Sequence, residues 1–223
     1  MQLTHNIRDG VSVVPLLAHL SRLGDAPETD ALVDIALGHK VIRPLQHRSE
    51  LLELARIVAA ARPRAMLEIG TFRGGTLFVF ARLAASDAVI ISLDLPASAM
   101  GRLYRAAQVP LFHQFTHGRQ SLHLLRKNSH DLATQLEVSR ILQDRRLDFL
   151  FIDGDHAYES VRTDFERYAP FMRTGGVVAF HDVAMGRPSG VSRFWSELRD
   201  RYRHVEIVHD RGPKAMGIGV VWM

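Results

Sequence analysis

The chain of 223 residues contains no cysteine. This absence excludes disulfide bonds, thiolate metal ligands and a cysteine nucleophile, so a metal site could use only aspartate, glutamate or histidine. The chain also lacks an uninterrupted apolar run of about 18 residues, and its first ten residues lack a basic stretch followed by an apolar one. We therefore expect a cytoplasmic protein with no membrane span and no secretion signal.

An excess of charge of one sign is also nearly absent. The chain has 28 lysines and arginines against 24 aspartates and glutamates, a formal net charge of +4. The basic residues are scattered, with Arg145–Arg146 the nearest to a run, which favours solvated surface over a nucleic-acid-binding face. We expect a small-molecule partner and no nucleic acid or membrane partner, and leave a homo-oligomer open.

The composition, 47% apolar and 23% charged, is that of one ordinary globular domain. The first sixty residues predict helices at Val13–Leu23, Thr29–Leu37 and Ser49–Ala61, the last with Ser49 as its N-cap. After Pro63, strands alternate with helices. This alternation predicts an α/β fold with a doubly wound, mainly parallel seven-stranded sheet covered by helices on both faces, preceded by N-terminal helices.

The predicted elements after Pro63 are short and apolar. Strands are expected at Ala65–Ile69, Val89–Asp94, Ser121–Leu125, Asp148–Asp153, Gly176–His181, Val205–His209 and Gly217–Trp222. Helices are expected at Thr76–Ala85, Leu132–Gln143, Tyr158–Tyr168 and Val191–Tyr202. The connection Pro96–Gln120 is either a lid or binding loop or an unrecognised helix, and we expect it to flank the ligand pocket together with Met185–Gly190.

A glycine-rich turn joins the first predicted strand to a helix. Gly70 and Gly74 allow a tight turn into which the unpaired amides of the helix start can point, as in nucleotide sites. Thr71 and Phe72 occupy the place of the second glycine of a dinucleotide fingerprint, which disfavours a pyrophosphate cradle. Asp94 ends the next strand, where a carboxylate can accept hydrogen bonds from ribose hydroxyls. A plain turn and a helix-capping or loop acid are the structural alternatives.

These residues resemble the class I S-adenosylmethionine-dependent methyltransferases, whose first motif is an acid, one residue, glycine, three residues and glycine. Glu68, Gly70 and Gly74 match that motif. The resemblance continues through Asp94, through the segment Asn128–Ser129–His130, and to Gly217–Trp222 as the usual final antiparallel strand. It covers about residues 46–223, and it implies a methyltransferase domain of the Rossmann-like type there, with residues 1–45 as a helical extension.

The resemblance also implies the cofactor and its contacts. The cofactor would be S-adenosylmethionine, with its amino acid portion near Gly70, its ribose on Asp94 and its adenine near Ser129. The full set of cofactor-binding residues implied in this way is Glu68, Gly70, Thr71, Gly74, Thr76, Asp94, Ser129 and Asp153.

A second group of polar residues ends two neighbouring predicted strands. Asp153–Gly154–Asp155–His156 follows one strand, and His181–Asp182 follows the next. Because adjacent parallel strands lie about 4.8 Å apart, Asp153, His181 and Asp182 could converge on one divalent ion. Oxygen ligands suit Mg²⁺, and the histidine extends the choice to Mn²⁺, Fe²⁺ or Zn²⁺. Capping of the helix at Tyr158 and a satisfied loop pair are the structural alternatives.

This region resembles the metal-dependent O-methyltransferases that act on sugar hydroxyls of macrolide and aminocoumarin antibiotics. Asp153–Gly154–Asp155 and Tyr158–Glu159–Ser160 stand as in that family. Two departures occur, since His156–Ala157 adds a residue between the halves and His181–Asp182 replaces an acidic pair. The His-Asp version also resembles the cephalosporin hydroxylase-like relatives.

The leading hypothesis is methyl transfer to a hydroxyl of a sugar or small natural product, with a divalent metal lowering the pKa of the acceptor. The catalytic residues would be Asp155, the general base that the resemblance favours, and His156, its rival with the more suitable ordinary pKa. An oxygenase would instead use His156, His181 and a carboxylate to hold Fe²⁺. A non-catalytic nucleoside-binding regulator is the third hypothesis.

Overall fold

The computed structural model describes residues 13–24, 27–96, 108–184, 189–212 and 215–223. Seven strands within these residues are β1 (Ala65–Ile69), β2 (Val89–Asp94), β3 (Ser121–Arg126), β4 (Leu147–Ile152), β5 (Met172–His181), β6 (Arg203–Ile207) and β7 (Ile218–Trp222). They form one sheet in the order β3-β2-β1-β4-β5-β7-β6. Strands β1 to β5 pair in parallel, and β7 runs antiparallel to both β5 and β6.

Helices cover the sheet. Residues 13–20 are helical and are termed α1. The remaining α-helices of the described residues are α2 (Thr29–Gly38), α3 (Arg48–Ala61), α4 (Gly75–Leu83), α5 (Val109–His113), α6 (Leu132–Leu142), α7 (Tyr158–Tyr168) and α8 (Gly190–Arg199). In the part of the chain that is described, no helix combines the length and the apolar character that a membrane crossing requires.

Alternation of side chains along the central strands produces two hydrophobic cores. On β1, Met66 joins a cluster with residues of α1 to α5, whereas Leu67 joins a second cluster with residues of α6 to α8. Successive side chains of a strand point to opposite faces, so a strand that is apolar throughout is buried on both. The predicted doubly wound α/β architecture with its antiparallel final strand is confirmed.

The strand order reverses between β1 and β4, the position at which open α/β sheets bind their ligands. Ile69, the last residue of β1, pairs with Ile152, the last residue of β4. Ile152 pairs in turn with Phe180 of β5. The residues that follow these pairs, Gly70, Asp153 and His181, therefore meet at one edge of the sheet.

Some predicted boundaries are wrong. Helix α3 begins at Arg48 with His47 at the N-cap position, so Ser49 is not the cap. Strand β5 begins at Met172, because a register shift against β4 accommodates the exposed residues 173–175 before regular pairing resumes at Val177. Strand β6 ends at Ile207, two residues before the predicted end.

The connection Pro96–Gln120 contains a helix, α5, of which Leu111 and Phe112 are buried. This result agrees with the unrecognised-helix alternative for that segment. Residues 97–107 of the connection lie outside the described part of the chain, as do residues 185–188 of the second expected pocket segment.

Candidate functional site

A pocket of about 710 Å³ opens at the carboxyl edge of the sheet. Most predicted site residues line it, namely Gly70, Thr71, Thr76, Asp94, Ser129, Asp153, Asp155, His156, His181 and Asp182. Its volume lies in the range of pockets for small molecules and cofactors. Glu68 and Gly74 are outside the described lining of this pocket. The two groups predicted separately from the sequence thus share one cavity.

The glycine-rich turn packs directly against the end of β4. Gly70 has a φ of +93°, and a Cβ atom there would lie 2.0 Å from the carbonyl oxygen of Asp153. The backbone N–H of Asp153 donates to the carbonyl of Ile69 at 2.8 Å, which holds the two chain segments together. Only glycine combines this left-handed conformation with so close a backbone approach.

Asp94, the last residue of β2, accepts hydrogen bonds from the same turn. Its Oδ2 atom accepts hydrogen bonds from the backbone N–H groups of Thr71 at 3.1 Å and Phe72 at 3.0 Å. Its Oδ1 atom accepts from the backbone N–H of Leu95 at 2.7 Å. A carboxylate oxygen can accept more than one hydrogen bond, so ribose hydroxyls could share these oxygens. Asp94 therefore stabilises the turn, in addition to its predicted role in ligand binding.

Glu68 lies beneath the turn instead of facing the pocket. It is fully buried, and its Oε1 atom accepts a hydrogen bond from the hydroxyl of Thr76 at 2.6 Å. Burial raises the pKa of Glu68 to about 8. Burial thus favours the neutral form of this carboxyl group, which connects β1 to the first turn of α4.

Ser129 follows β3 and is nearly buried at the pocket wall. Its carbonyl accepts a hydrogen bond from the hydroxyl of Tyr168 at 2.8 Å, which ties the loop after β3 to α7. Beside it, Nε2 of His130 lies 3.4 Å from Oδ1 of Asp164. Burial raises the pKa of Asp164, whose exposed side-chain fraction is 2%.

The sequence reasoning missed Asp164 as a pocket residue. A signal for it exists, because Asp164 shares the buried face of α7 with Val161, Phe165 and Tyr168. A carboxylate on the apolar stripe of an amphipathic helix is unusual unless it has a partner there. Gln46 was missed as well, and it carried no comparable signal.

Asp153, His181 and Asp182 converge as predicted, and one potential ligand atom from each lies within 4.8 Å of the others. Nδ1 of His181 is 3.1 Å from Oδ1 of Asp153 and 3.4 Å from Oδ2 of Asp182. Burial would lower the pKa of His181, but the two carboxylates raise it to about 10. Burial on its own would raise the pKa of Asp182, but its hydrogen bond and charge interaction with His181 lower that pKa below its ordinary value.

Asp182 is held in an uncommon backbone conformation, with a φ of +64°. Non-glycine residues rarely adopt this region, and those that do are often functional. Oδ2 of Asp182 lies 3.2 Å from Nε2 of His156. His156 has 49% of its side chain exposed, so it lies at the interface between the buried cluster and the open pocket.

Asp155 is hydrogen-bonded to a residue of helix α7. Its Oδ2 atom accepts a hydrogen bond from the hydroxyl of Ser160, in the first turn of α7, at 2.5 Å. This bond holds the pKa of Asp155 below its ordinary value. The contact resembles the capping alternative, although the N-cap position itself belongs to Ala157, which makes no side-chain cap.

The residues present suit the groups that the fold family implies. Two carboxylates and an imidazole of one cluster form a ligand set for a divalent ion. Nε2 of His181 is buried without a hydrogen-bond partner among the described residues. In the same pocket, the turn at Gly70 and the carboxylate of Asp94 suit a nucleoside.

Comparison with known proteins identifies the class. A model of a methyltransferase-domain family matches residues 67–183, more than half of the chain, which therefore belongs to that family. The uncharacterized protein y4gI of Sinorhizobium fredii is 30% identical over 148 residues, which cover 64% of this chain and 16% of that protein. The chain thus spans less than one fifth of that relative's length.

Solved structures share the fold. An O-methyltransferase from Bacillus cereus, in complex with SAH, aligns with a TM-score of 0.59 at 16% identity and covers 88% of this chain and 92% of its own. The O-methyltransferase TomG from Streptomyces achromogenes, involved in tomaymycin synthesis and in complex with SAM, aligns with a TM-score of 0.57 at 20% identity, covering 93% and 94%. The class I methyltransferase resemblance is confirmed at the level of family and fold.

Proposed function

We propose that this protein is an S-adenosylmethionine-dependent O-methyltransferase that acts, with a divalent ion, on a hydroxyl of a sugar or small natural product. One observation carries the proposal. A single pocket has a nucleoside-type wall, formed by Gly70, Thr71 and Asp94, and a wall with the ligand set Asp153, His181 and Asp182. A methyl donor and a polarised acceptor have to meet in this way.

The cofactor proposal follows the chain's own contacts. Asp94 would accept hydrogen bonds from the ribose, and Ser129 would lie near the adenine. Glu68, Gly74 and Thr76 would act by shaping the turn, since Glu68 is buried against Thr76. The bound molecule supplies an electrophilic methyl group. Two fold neighbours hold SAH and SAM, which supports the choice of cofactor.

Asp153, His181 and Asp182 would hold the divalent ion. The two carboxylates favour Mg²⁺, and the imidazole makes Mn²⁺, Fe²⁺ and Zn²⁺ compatible as well. The ion supplies Lewis-acid polarisation, which lowers the pKa of a hydroxyl. The role of the protein is then to align the hydroxyl with the donor, since alignment contributes a large part of such rate enhancements.

We assign the general base to His156, with Asp155 as a positioning residue, although the family resemblance favours Asp155. Asp155 is engaged with Ser160, and that hydrogen bond weakens it as a base. His156 is half exposed at the pocket wall and in contact with Asp182, which can orient its ring. Nε2 faces Asp182, so the proton would be taken up at Nδ1.

A second candidate function, an iron-dependent oxygenase, is favoured by one contact. His156 and His181 both approach Oδ2 of Asp182, at 3.2 Å and 3.4 Å. Two histidines and a carboxylate form the ligand set of many non-haem Fe²⁺ oxygenases. That function would not use Asp94 or the glycine-rich turn.

The assembly of the protein as a homo-oligomer and its cytoplasmic location stay predictions.

A paired experiment tests the proposal. Calorimetry with S-adenosylhomocysteine measures cofactor binding, and methyl transfer from labelled S-adenosylmethionine into small-molecule extracts measures turnover before and after chelation. We expect binding, and turnover that chelation abolishes and Mg²⁺ or Mn²⁺ restores. Undiminished turnover after chelation would remove the metal from the proposal. Bound iron with oxygen consumption and no methyl transfer would favour the oxygenase.

A further inference from the structure

The connection between α2 and α3 crosses the pocket. Residues 42–46 of this connection are here termed the strap, and Pro44, Leu45 and Gln46 of the strap line the cavity. The strap precedes the family-matched residues 67–183, so the family comparison assigns it no role. It nevertheless borders both walls of the site.

The start of α4 leaves room for the strap. A Cβ atom on Gly75 would lie 2.2 Å from the carbonyl oxygen of Ile42 and 2.5 Å from Cδ of Pro44. Backbone cannot yield to such an overlap without moving the whole segment. Gly75 therefore allows the strap to lie directly on the helix that follows the glycine-rich turn, which fixes where Gln46 stands.

Gln46 reaches the proposed metal cluster. Its exposed fraction is 5%, and its Nε2 atom donates a 2.6 Å hydrogen bond to Oδ2 of Asp153. A carboxylate only accepts hydrogen bonds, so this contact identifies the amide nitrogen as the facing atom. The other oxygen of Asp153, Oδ1, faces His181. The two oxygens of one carboxylate thus have different partners.

The amide of Gln46 also lowers the stability of the fold. Its Oε1 atom is buried without a hydrogen-bond partner among the described residues. A buried polar atom in this state destabilises the fold, and an apolar side chain of similar length would fill the space without that penalty. Packing alone therefore does not account for an amide here, whereas the bond to Asp153 does.

We infer that Gln46 is a positioning residue that holds Asp153 by one oxygen and leaves the other to bind the divalent ion. This inference rests on the proposed metal site and adds to it a residue from the connection between α2 and α3. Hydrogen-bond partners of ligating carboxylates orient the ligand, and their loss typically weakens metal binding or activity about 10–100-fold.

The test uses the whole 223-residue chain saturated with S-adenosylhomocysteine, and it measures Mn²⁺ affinity by calorimetry. Gln46→Met keeps the side-chain length and removes the donor, so we expect Mn²⁺ binding to weaken about 10–100-fold while S-adenosylhomocysteine affinity is unchanged. Gln120→Met is the matched control. Gln120 donates to the carbonyls of Ala81 and Ala85 outside the pocket, so its loss should lower thermal stability and leave Mn²⁺ affinity unchanged.

Each outcome decides a separate point. Wild-type Mn²⁺ affinity in Gln46→Met would overturn the inference and leave the metal site intact. Equal weakening by Gln120→Met would overturn it too, because the effect would then follow stability and not the contact with Asp153. If the wild-type protein bound no Mn²⁺, the proposed metal site and the inference would both fail, whereas S-adenosylhomocysteine binding would still support the cofactor proposal.

Discussion

Glu68 and Thr76 join the central strand β1 to helix α4 through one buried hydrogen bond of 2.6 Å. The bond lies directly under the turn at Gly70. Burial makes the carboxyl group of Glu68 a neutral partner in this bond, because its pKa is raised to about 8 from an ordinary value of 4.5. The fold thus contains a carboxyl group whose ionisation opposes folding.

Glu68→Gln should change how stability depends on pH. The folded-state pKa of Glu68 is raised, so its contribution is complete below the ordinary value of 4.5 and is lost as pH rises through about 8. Between these limits the wild-type free energy of unfolding should fall by up to about 1.4 kcal/mol per pH unit on account of Glu68. Glutamine cannot ionise, so the variant should lose this slope in urea titrations between about pH 5 and 9.

Glu206→Gln is the control for that measurement. Hydrogen bonding from Trp195, with Arg199, holds the pKa of Glu206 below its ordinary value. Its contribution is therefore present throughout the neutral range and lost only in acid. The control should shift the curve by a constant amount above about pH 6. A Glu68→Gln protein with the wild-type slope would contradict the buried, neutral carboxyl.

Asp94→Asn should weaken S-adenosylhomocysteine binding about 10–100-fold, since charge-assisted hydrogen bonds to two hydroxyls are worth about 1.5–3 kcal/mol. The turn would also lose a charged acceptor for the N–H groups of Thr71 and Phe72. Calorimetry is the measurement. Asp87→Asn, which removes an ion pair with Arg64 outside the pocket, should bind as the wild type does. Unchanged affinity in Asp94→Asn would remove Asp94 from the cofactor site.

His156→Gln should reduce turnover about 10²–10⁴-fold, the usual effect of removing a general base. Cofactor affinity should be retained, and Mn²⁺ affinity should change little, because the glutamine amide can still donate a hydrogen bond to Asp182 in place of His156. Asp155→Asn should cost less, since Asp155 mainly accepts a hydrogen bond from Ser160. The comparison uses initial rates on one acceptor. The reverse ranking of the two variants would return the base to Asp155.

Gly70→Ala should destabilise the protein by about 3 kcal/mol or more, because strain at positive φ adds to steric overlap in a packed site. The new methyl group would overlap the carbonyl of Asp153. Gly38→Ala is the control, since nothing lies within 4 Å of a Cβ atom there. Gly38 is the last residue of α2, so alanine should leave stability equal or slightly raised. Equal melting temperatures for the two variants would contradict the packing described for Gly70.

The sequence predicts the central sheet well. Short apolar runs bounded by glycine, proline and polar residues leave little choice in where a strand begins and ends. The predicted bounds Ala65–Ile69 and Val89–Asp94 are those of β1 and β2. The convergence of Asp153 with His181 and Asp182 also follows from sequence, because residues after paired parallel strands meet at one edge. Local pattern and sheet geometry suffice for both.

The orientation of Glu68 could not be predicted in the same way. Every residue of β1 is buried, so no alternation of apolar and polar residues distinguishes the face toward α4 from the pocket. The sequence motif indicates an acid at this position, but not which way it points. Its bond with Thr76 depends on the packing of α4 against the sheet.

Sequence alone thus determined the architecture, the glycine-rich turn and the carboxylate and histidine edge, since each depends on residues close in the chain or on adjoining strands. Tertiary structure decided the contacts that complete the site. Gln46 meets Asp153 across 107 positions of sequence, and His156 meets Asp182, whose backbone has a positive φ. Such contacts depend on how separate segments pack, and no local period in the sequence records that packing.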